Sequence, residues 1–410
     1  MDYVFDSCTA QPGSTTTLIV TTTVVTTFSL LALLRHTLYP KKRSIIPNPL
    51  KTAIPRLSQS EIEKLEYAPD YFPGARDVQT PYGSIRVYEF GPEDGRKVLM
   101  IHGISTSCQT LTHIAHGLVA KGCRVMLFDL WGRGFSDGVG DLPHDARLYV
   151  SQALLVLASS PLAWTGAGGF HLLGYSLGGG IAVHLATAFP DMVASLVLLA
   201  PAGLIRAANF GRLSRFVFKT GVVPERVLAA LTRRRLQRPI ASSTKRRKPG
   251  SAGNSGASTP AGAKSASSVK PHSPTTPVEE FVDIAVEEAA DPVGDEVPSE
   301  LQRRVWRYVR WMVQYHDGFI PSFMSTVRYA PMMDQEAAWA RLADRKAGTT
   351  CFIFGKSDEV VHPDDYEQDA LPLVGGREHV SWNLIRGGHD FPMSHPDETL
   401  SLVYKFWGWQ

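Results

Sequence analysis

The segment Gly174-Tyr175-Ser176-Leu177-Gly178 has the residue types and the spacing of a turn that presents a nucleophilic serine. A short apolar run over 170–173 precedes it, and small residues suited to the start of a helix follow it. A sharp turn between a strand and a helix forces the serine into strained backbone space, so its neighbours must be small. The pattern predicts that Ser176 is a nucleophile, and the alternative is an incidental serine in a glycine-rich turn.

A nucleophilic serine needs a base and an acid that orients the base. On this kind of turn the three residues follow the chain order serine, carboxylate, histidine. Asp358 follows the predicted strand Thr349–Phe354, and His389 lies in a glycine-rich segment after the predicted strand His379–Ile385. These positions predict Asp358 as the acid and His389 as the base. Weaker alternatives stay open, namely Glu359 for the acid and His362, His379 or His395 for the base.

The reaction would also need two backbone N–H groups that bind the developing oxyanion. The residue directly after the nucleophile supplies one of them, which predicts Leu177. The second is expected from the loop after the early strand Lys97–Ile101, where His102, Gly103 and Ile104 stand, and we predict Ile104. His102 is expected to support this loop, with a role as a base as the alternative.

The sequence predicts that strands alternating with helices position these residues. The predicted strands are 84–90, 97–101, 123–129, 170–173, 194–199, 349–354 and 379–385, and the predicted helices include 108–119, 148–157 and 398–407. Short apolar strands that alternate with helices predict an α/β fold with a mostly parallel sheet covered on both faces. The strand over 84–90 alternates polar and apolar residues and is predicted to be half-buried.

The chain divides into five predicted parts: an N-terminal region over 1–43, a linker over 44–79, the first part of the core over 80–201, a lid insertion over 202–346 and the second part of the core over 347–410. Within the insertion, 241–278 has almost no large apolar residue and 279–298 turns acidic, and the whole of 241–298 is predicted to be disordered. Helices are predicted over 211–236 and after Glu300. The second carries tryptophans beside an apolar stripe, and it either forms the core of the lid or presents aromatic residues to an acyl pocket or a membrane.

Composition and the N-terminus bear on where the protein acts. A net charge of +3 does not indicate binding to nucleic acid. Four cysteines without paired spacing fit a reducing compartment. The segment Leu18–Leu34 carries no charge and is followed by Arg35, His36 and a basic cluster over 41–43. We expect a single membrane-spanning anchor, with the rest of the chain on the cytosolic side of the membrane. A threonine-rich disordered tail is the alternative.

Taken together, these motifs resemble the α/β-hydrolase superfamily. The resemblance covers roughly 80–201 and 347–410, and it rests on His102-Gly103, the segment 129–136, the Ser176 turn, Asp358 and Gly388-His389. It implies a serine hydrolase with an inserted helical lid and no metal or cofactor. The chain is most similar to small-molecule ester and lipid hydrolases, including monoacylglycerol lipase-like and membrane-anchored fungal members. In such proteins the segment beginning at Asp129 is structural.

The resemblance implies cleavage of carboxylic esters, with a small-molecule or lipid substrate whose acyl part is apolar. Thioesters, amides and acyl transfer use the same machinery and stay open as alternatives. The fold also serves in non-catalytic ligand-binding proteins, and the insert could act as a localisation scaffold. The resemblance itself leaves the substrate undefined.

Overall fold

The computed structural model describes residues 12–38, 43–206, 223–237 and 300–409. The predicted disordered segment 241–298 and the first part of the helix predicted over 211–236 lie outside these residues. The described chain contains ten strands: β1 Ile45–Ile46, β2 Ala75–Thr80, β3 Gly83–Phe90, β4 Arg96–Ile101, β5 Cys123–Phe128, β6 Gly138–Val139, β7 Phe170–Tyr175, β8 Val193–Leu199, β9 Thr350–Gly355 and β10 Ser381–Ile385.

Eight of these strands form one sheet in the order β10-β9-β8-β7-β4-β5-β3-β2. The six strands from β10 to β5 are parallel, whereas β3 and β2 are antiparallel to their neighbours. β1 and β6 pair separately as a short antiparallel ladder. The predicted α/β fold with a mostly parallel sheet is therefore confirmed, and the carboxyl ends of six strands meet along one edge of the sheet.

Thirteen helices occur in the described ranges: α1 Pro12–Leu38, α2 Pro49–Thr52, α3 Gln59–Ile62, α4 Thr112–Ala120, α5 Ala146–Ala158, α6 Leu177–Ala188, α7 Glu225–Leu236, α8 Glu300–Tyr315, α9 Phe319–Tyr329, α10 Glu336–Ala340, α11 Pro363–Leu373, α12 Phe391–Ser394 and α13 Pro396–Phe406. Helix α4 packs with α13, while α6 packs with α5 and α10. These two groups flank the sheet. Helices α7 to α10 lie between β8 and β9 in the chain.

The predicted linker over 44–79 differs from a simple connection, because much of it packs onto the body. Tyr67 and Phe72 are buried, and their rings contact Tyr88 and Phe90 of β3. Strand β2, which adds an edge to the sheet, also begins inside this segment. The prediction that β3 is half-buried was wrong, since all eight of its residues are buried beneath this added layer.

Asp137 fixes the start of the body. Its buried carboxylate accepts hydrogen bonds from the backbone and side-chain amides of Asn48 at 2.9 and 2.8 Å, and from the Ser84 backbone N–H at 2.7 Å. Lys51 Nζ lies 2.7 Å from the same carboxylate. The segment around Asn48 and Lys51 is therefore held against the sheet.

Helix α8 is amphipathic and buries one stripe of its surface, formed by Val305, Tyr308, Val309, Met312 and Val313. The Tyr308 hydroxyl accepts a hydrogen bond of 3.2 Å from the Gly134 N–H, in the turn that follows β5. Trp306 and Trp311 are half-buried beside the stripe. These contacts favour the interpretation that α8 forms the core of a lid above the sheet.

Asp129 is a fully buried acid that links three parts of the molecule. Its carboxylate accepts hydrogen bonds from the Tyr67 hydroxyl at 3.0 Å, the Cys108 N–H at 3.1 Å and the Phe135 N–H at 2.9 Å. These bonds favour the ionised form, but burial outweighs them and raises the pKa of Asp129 to about 6. The residue is structural, as the resemblance implies.

This shift predicts a pH-dependent stability. The folded state binds the Asp129 proton more tightly than the unfolded state, so stability falls as pH rises from about 4 to about 6. The difference in unfolding free energy between wild type and Asp129→Asn should therefore be smaller at pH 7 than at pH 4 by up to about 3 kcal/mol. Urea unfolding in detergent, followed by tryptophan fluorescence, measures it. A difference that does not change with pH would contradict the prediction.

Candidate active site

Ser176 lies at the carboxyl end of β7, where the chain turns sharply into α6. Its backbone has φ 54° and ψ −120°, a strained conformation for a residue with a side chain. A Cβ at Gly174 would lie 2.4 Å from the Gly178 carbonyl oxygen, and a Cβ at Gly178 would lie 2.2 Å from the Ile101 carbonyl oxygen. Only glycine fits at these two positions, so the motif encodes a tight turn that projects Ser176 above the sheet.

The side chains of Ser176, His389 and Asp358 form a continuous hydrogen-bonded array. His389 Nε2 lies 3.0 Å from Ser176 Oγ, and His389 Nδ1 lies 2.8 Å from Asp358 Oδ2. Because a carboxylate only accepts, Nδ1–H donates to it, which leaves Nε2 free to accept the serine proton. The other carboxylate oxygen, Oδ1, accepts from the Val360 and Val361 N–H groups at 2.9 and 2.7 Å. All three members of the array are buried.

Two neighbouring parallel strands bring the acid and the histidine together. The Ser357 N–H donates to the Gly387 carbonyl at 3.0 Å, which joins the loop after β9 to the loop after β10. A Cβ at Gly355 would lie 2.4 Å from the Gly388 carbonyl oxygen, so the two loops approach closely. The Tyr175 hydroxyl donates to the His389 carbonyl at 3.0 Å. Tyr175 therefore fixes the histidine from the strand that carries Ser176, a contact that the sequence analysis did not foresee.

The two predicted oxyanion donors also lie at this edge. Leu177 is the first residue of α6, so its N–H has no acceptor within the helix. The Gly103 carbonyl, which shares a peptide unit with the Ile104 N–H, accepts from His102 Nδ1–H at 2.8 Å. His102 Nε2 accepts from the Leu130 N–H at 2.9 Å, and burial lowers the pKa of His102 to about 3. His102 is therefore neutral, and its two hydrogen bonds hold the loop in place.

Arg133 fixes the next peptide unit of the same loop. Its buried Nε–H donates to the Ile104 carbonyl at 2.9 Å, and its Nη2–H donates to Thr326 Oγ1 of α9 at 3.0 Å. One guanidinium thus connects the loop to α9. Sequence reasoning missed this residue, because an arginine inside the turn after β5 gives no sign of which carbonyl it will reach.

The alternative site residues lie elsewhere. Glu359 is exposed, and His362 caps the start of α11. His395 Nδ1 lies 2.9 Å from Ser394 Oγ, and His379 lies in the turn before β10, where its N–H donates to the Gly376 carbonyl at 3.1 Å. The structure brings Asp358 and His389, and not these residues, to Ser176.

This geometry can be compared with known proteins. A model of the family described as serine aminopeptidase, S33, matches residues 92–249. Among solved structures, a bacterial membrane phospholipase A aligns with 95% of this chain and 98% of its own, with a TM-score of 0.53 and 18% identity. The esterase RhEst1 from Rhodococcus sp. covers 82% of this chain and 98% of its own, with a TM-score of 0.51 and 17% identity. The chain therefore has the α/β-hydrolase fold.

Curated relatives match this chain over part of their length. Lipase LipV from Mycobacterium tuberculosis is 36% identical over 118 residues, which are 29% of this chain and 42% of the lipase. A serine hydrolase-like protein from Danio rerio is 31% identical over 129 residues, 31% of this chain and 38% of the relative. The chain thus spans less than half the length of these relatives. Its resemblance to the superfamily is confirmed.

Proposed function

We propose that this α/β hydrolase is a serine hydrolase that cleaves carboxylic esters with an apolar acyl group. The observation that carries the proposal is the hydrogen-bonded array from Ser176 through His389 to Asp358, at 3.0 and 2.8 Å, on a strained turn. Any one of these residues could have a structural role alone. A buried serine hydroxyl within hydrogen-bond distance of an imidazole, itself oriented by a buried carboxylate, is the arrangement that nucleophilic catalysis requires.

The first half of the reaction transfers the acyl group to the protein. Ser176 Oγ attacks the ester carbonyl carbon while His389 Nε2 takes the hydroxyl proton. Asp358 stabilises the imidazolium that forms. The carbonyl oxygen becomes an oxyanion that accepts from the Leu177 and Ile104 N–H groups. When the carbon–oxygen ester bond breaks, His389 gives its proton to the departing alkoxide, so the alcohol leaves neutral and the acyl group stays on Ser176.

The second half uses the same groups with water as the nucleophile. His389 Nε2 takes a proton from water, and the hydroxide attacks the acyl-enzyme carbonyl. The tetrahedral oxyanion again occupies the site of Leu177 and Ile104. Collapse breaks the bond to Ser176 Oγ, which recovers its proton from His389, and the carboxylic acid is released. No group outside the array is needed to balance protons.

Helix α1 supports a membrane setting and hence an apolar substrate. Its segment Thr16–His36 has 21 residues and contains an 18-residue stretch with a mean hydropathy of 2.0, and its side chains are exposed throughout. The hydroxyls of Thr21 and Thr22 donate to backbone carbonyls one turn earlier, at 2.8 and 2.7 Å, which satisfies them without water. A segment of this length and composition suits a bilayer. A lipase and a membrane phospholipase among the similar proteins point the same way.

The charges beside α1 support one orientation. Arg35, His36 and the basic residues over 41–43 all lie on the carboxyl-terminal side of the span. Basic residues are retained on the cytosolic side of membranes, so the catalytic body would be cytosolic. Glycosylation-site mapping or protease protection in microsomes tests this topology independently of any activity.

A fluorophosphonate probe tests the central proposal. We expect covalent labelling of the wild-type protein and none of Ser176→Ala, because the probe reacts only with an activated serine. A panel of p-nitrophenyl esters of increasing acyl length should then give a higher kcat/KM for medium and long chains than for acetate. If the probe labels Ser176 but no ester is turned over, the ester assignment is wrong and the assignment of Ser176 as nucleophile stands.

Amide hydrolysis is the second candidate, favoured by the match to the serine aminopeptidase family over 92–249. The same array could cleave an amide, with His389 protonating the amine that leaves. Aminoacyl-methylcoumarin amides distinguish the two, because an aminopeptidase should turn them over faster than the esters.

His102 offers a test of the oxyanion loop. Replacing it by leucine removes the Nδ1–H that holds the Gly103–Ile104 peptide and the Nε2 acceptor of the Leu130 N–H. We expect kcat to fall by roughly 10²- to 10³-fold, the usual cost of losing one oxyanion donor. His102→Asn, which can keep a donor near Nδ1, should recover part of the loss. Equal losses in both variants, accompanied by unfolding, would show only a structural effect.

A further inference from the structure

The connection between α1 and the body is short, and this limits which face of the body can lie near a membrane. Five Cα steps separate Leu38, the last residue of α1, from Arg43, so these two residues lie at most about 18 Å apart. A domain of about 300 residues has a radius of gyration of about 19 Å, so its far side cannot reach the same plane. We call the short connection between Leu38 and Arg43 the tether. The face of the body around Arg43 is the one that the tether holds near the membrane.

The turn of the lid packs on that face. Ile45 pairs with Val139 in the β1–β6 ladder, and the Gly140 N–H donates to the Ser44 carbonyl at 3.0 Å. On the same ladder, a Cβ at Gly138 would lie 2.9 Å from Gly318 Cα, in the turn between α8 and α9. The turn between α8 and α9 therefore contacts the body close to the point where the tether joins it. Asp137 holds this region in place, so the arrangement is rigid.

Large apolar side chains are exposed around this contact. Ile45 is 39% exposed, Leu142 in the loop after β6 is 41% exposed, and Tyr315 at the end of α8 is 36% exposed. We call these three residues the anchor-side patch. Asp141 and Asp317 are exposed beside it. Two acidic residues among the apolar ones suit contact at the depth of the lipid headgroups, and they argue against attraction to anionic lipid as the main force.

We propose that the anchor-side patch rests on the lipid bilayer, so that the α8–α9 end of the lid faces the membrane and an apolar substrate reaches Ser176 from it. The inference rests on the proposed function for its anchor and its substrate. The tether keeps this patch next to the bilayer. We therefore infer that the patch contacts lipid. Thr326 of α9 is hydrogen-bonded to Arg133, which holds the oxyanion loop. The part of the lid that touches lipid is therefore connected to that loop through α9.

Site-specific labelling in nanodiscs tests the orientation. In the full-length chain Cys8 is replaced by serine; the other cysteines, Cys108, Cys123 and Cys351, are buried. An environment-sensitive dye is then placed at Leu142→Cys. The matched control is Leu384→Cys, because Leu384 is 45% exposed but lies on β10 at the opposite end of the strand order from β2. Nanodiscs of phosphatidylcholine, with or without a spin-labelled lipid, supply the quencher.

We expect the dye at position 142 to be quenched at least about twofold more than the dye at position 384. Adding phosphatidylserine should change this ratio little. Equal quenching at both positions in protein that stays with the nanodisc would overturn the orientation. Protein that does not stay with the nanodisc would instead show that the anchor proposal fails. Quenching needs no turnover, so its outcome is separate from that of the esterase assay.

A turnover assay gives a second readout. Leu142→Ser should lower kcat/KM for a long-chain ester embedded in the nanodisc by about fivefold, because it removes apolar contact with lipid. Turnover of a soluble short-chain ester should stay unchanged, and Leu384→Ser should alter neither. Tyr315→Ser provides an independent variant of the same patch. Equal effects on the soluble and the embedded ester would overturn the proposal.

Discussion

Replacing Ser176 by alanine is expected to lower kcat for ester hydrolysis by roughly 10⁴- to 10⁶-fold. The substitution removes the oxygen that His389 Nε2 contacts at 3.0 Å, so no acyl-enzyme can form. The residual rate would come from the oxyanion donors and from substrate binding, which the substitution leaves in place. Steady-state hydrolysis of a p-nitrophenyl ester by protein purified in detergent measures the loss.

The control for this variant is its stability. Alanine at position 176 keeps the strained backbone but removes a single buried hydroxyl, so the unfolding transition should move little. A folded Ser176→Ala protein that retains more than about a tenth of the wild-type kcat would contradict the role of Ser176 as nucleophile. A double variant with His389→Ala should be hardly slower than the single one, because residues that act as a unit are not additive.

Replacing Asp358 by asparagine is expected to lower kcat by about 10⁴-fold. The asparagine carbonyl can still accept from the Val360 and Val361 N–H groups, which turns its NH₂ group towards His389. His389 Nδ1 would then have to accept, so the proton moves to Nε2 and the ring can no longer take the proton of Ser176. The cause is the wrong tautomer, and the geometry should be preserved.

Glu359→Gln is the matched control for that experiment. Glu359 follows Asp358 directly and was the alternative acid, but its side chain is exposed. Its substitution should change kcat by less than about twofold, in line with surface changes in general. A large loss in Glu359→Gln together with a small loss in Asp358→Asn would reverse the assignment of the acid.

The fold and the candidate site were predictable to different degrees. The glycine spacing around Ser176 marks a tight turn because only glycine tolerates the backbone contacts at 174 and 178. Asp358 and His389 were predicted from chain order, since parallel strands bring their carboxyl ends to one edge. Boundaries were reproduced to within a few residues for most strands, for example β8 at Val193–Leu199 against 194–199. Their catalytic roles are what the substitutions above test.

Other features depend on contacts between residues far apart in the chain. The burial of β3 could not be read from its alternating pattern, because the layer that covers it comes from Tyr67 and Phe72 in a proline-rich segment. The support of Ile104 depends on Arg133, which is 29 residues away, and Arg133 also reaches Thr326, which is 193 residues away. Local pattern carries no information about such partners.

By itself, then, the sequence determined the tight turn at Ser176, the chain order of the residues predicted to act with it and the alternation that makes a parallel sheet, because each depends on spacing along a few neighbouring residues. The tertiary structure decided between the alternatives that the sequence left open for the carboxylate and the histidine, how the loop at Ile104 is held, and that the α8–α9 turn packs against the β1–β6 ladder. These outcomes depend on how loops from separate strands pack at one edge of the sheet, where distances of 3 Å or less decide which atoms can exchange a proton.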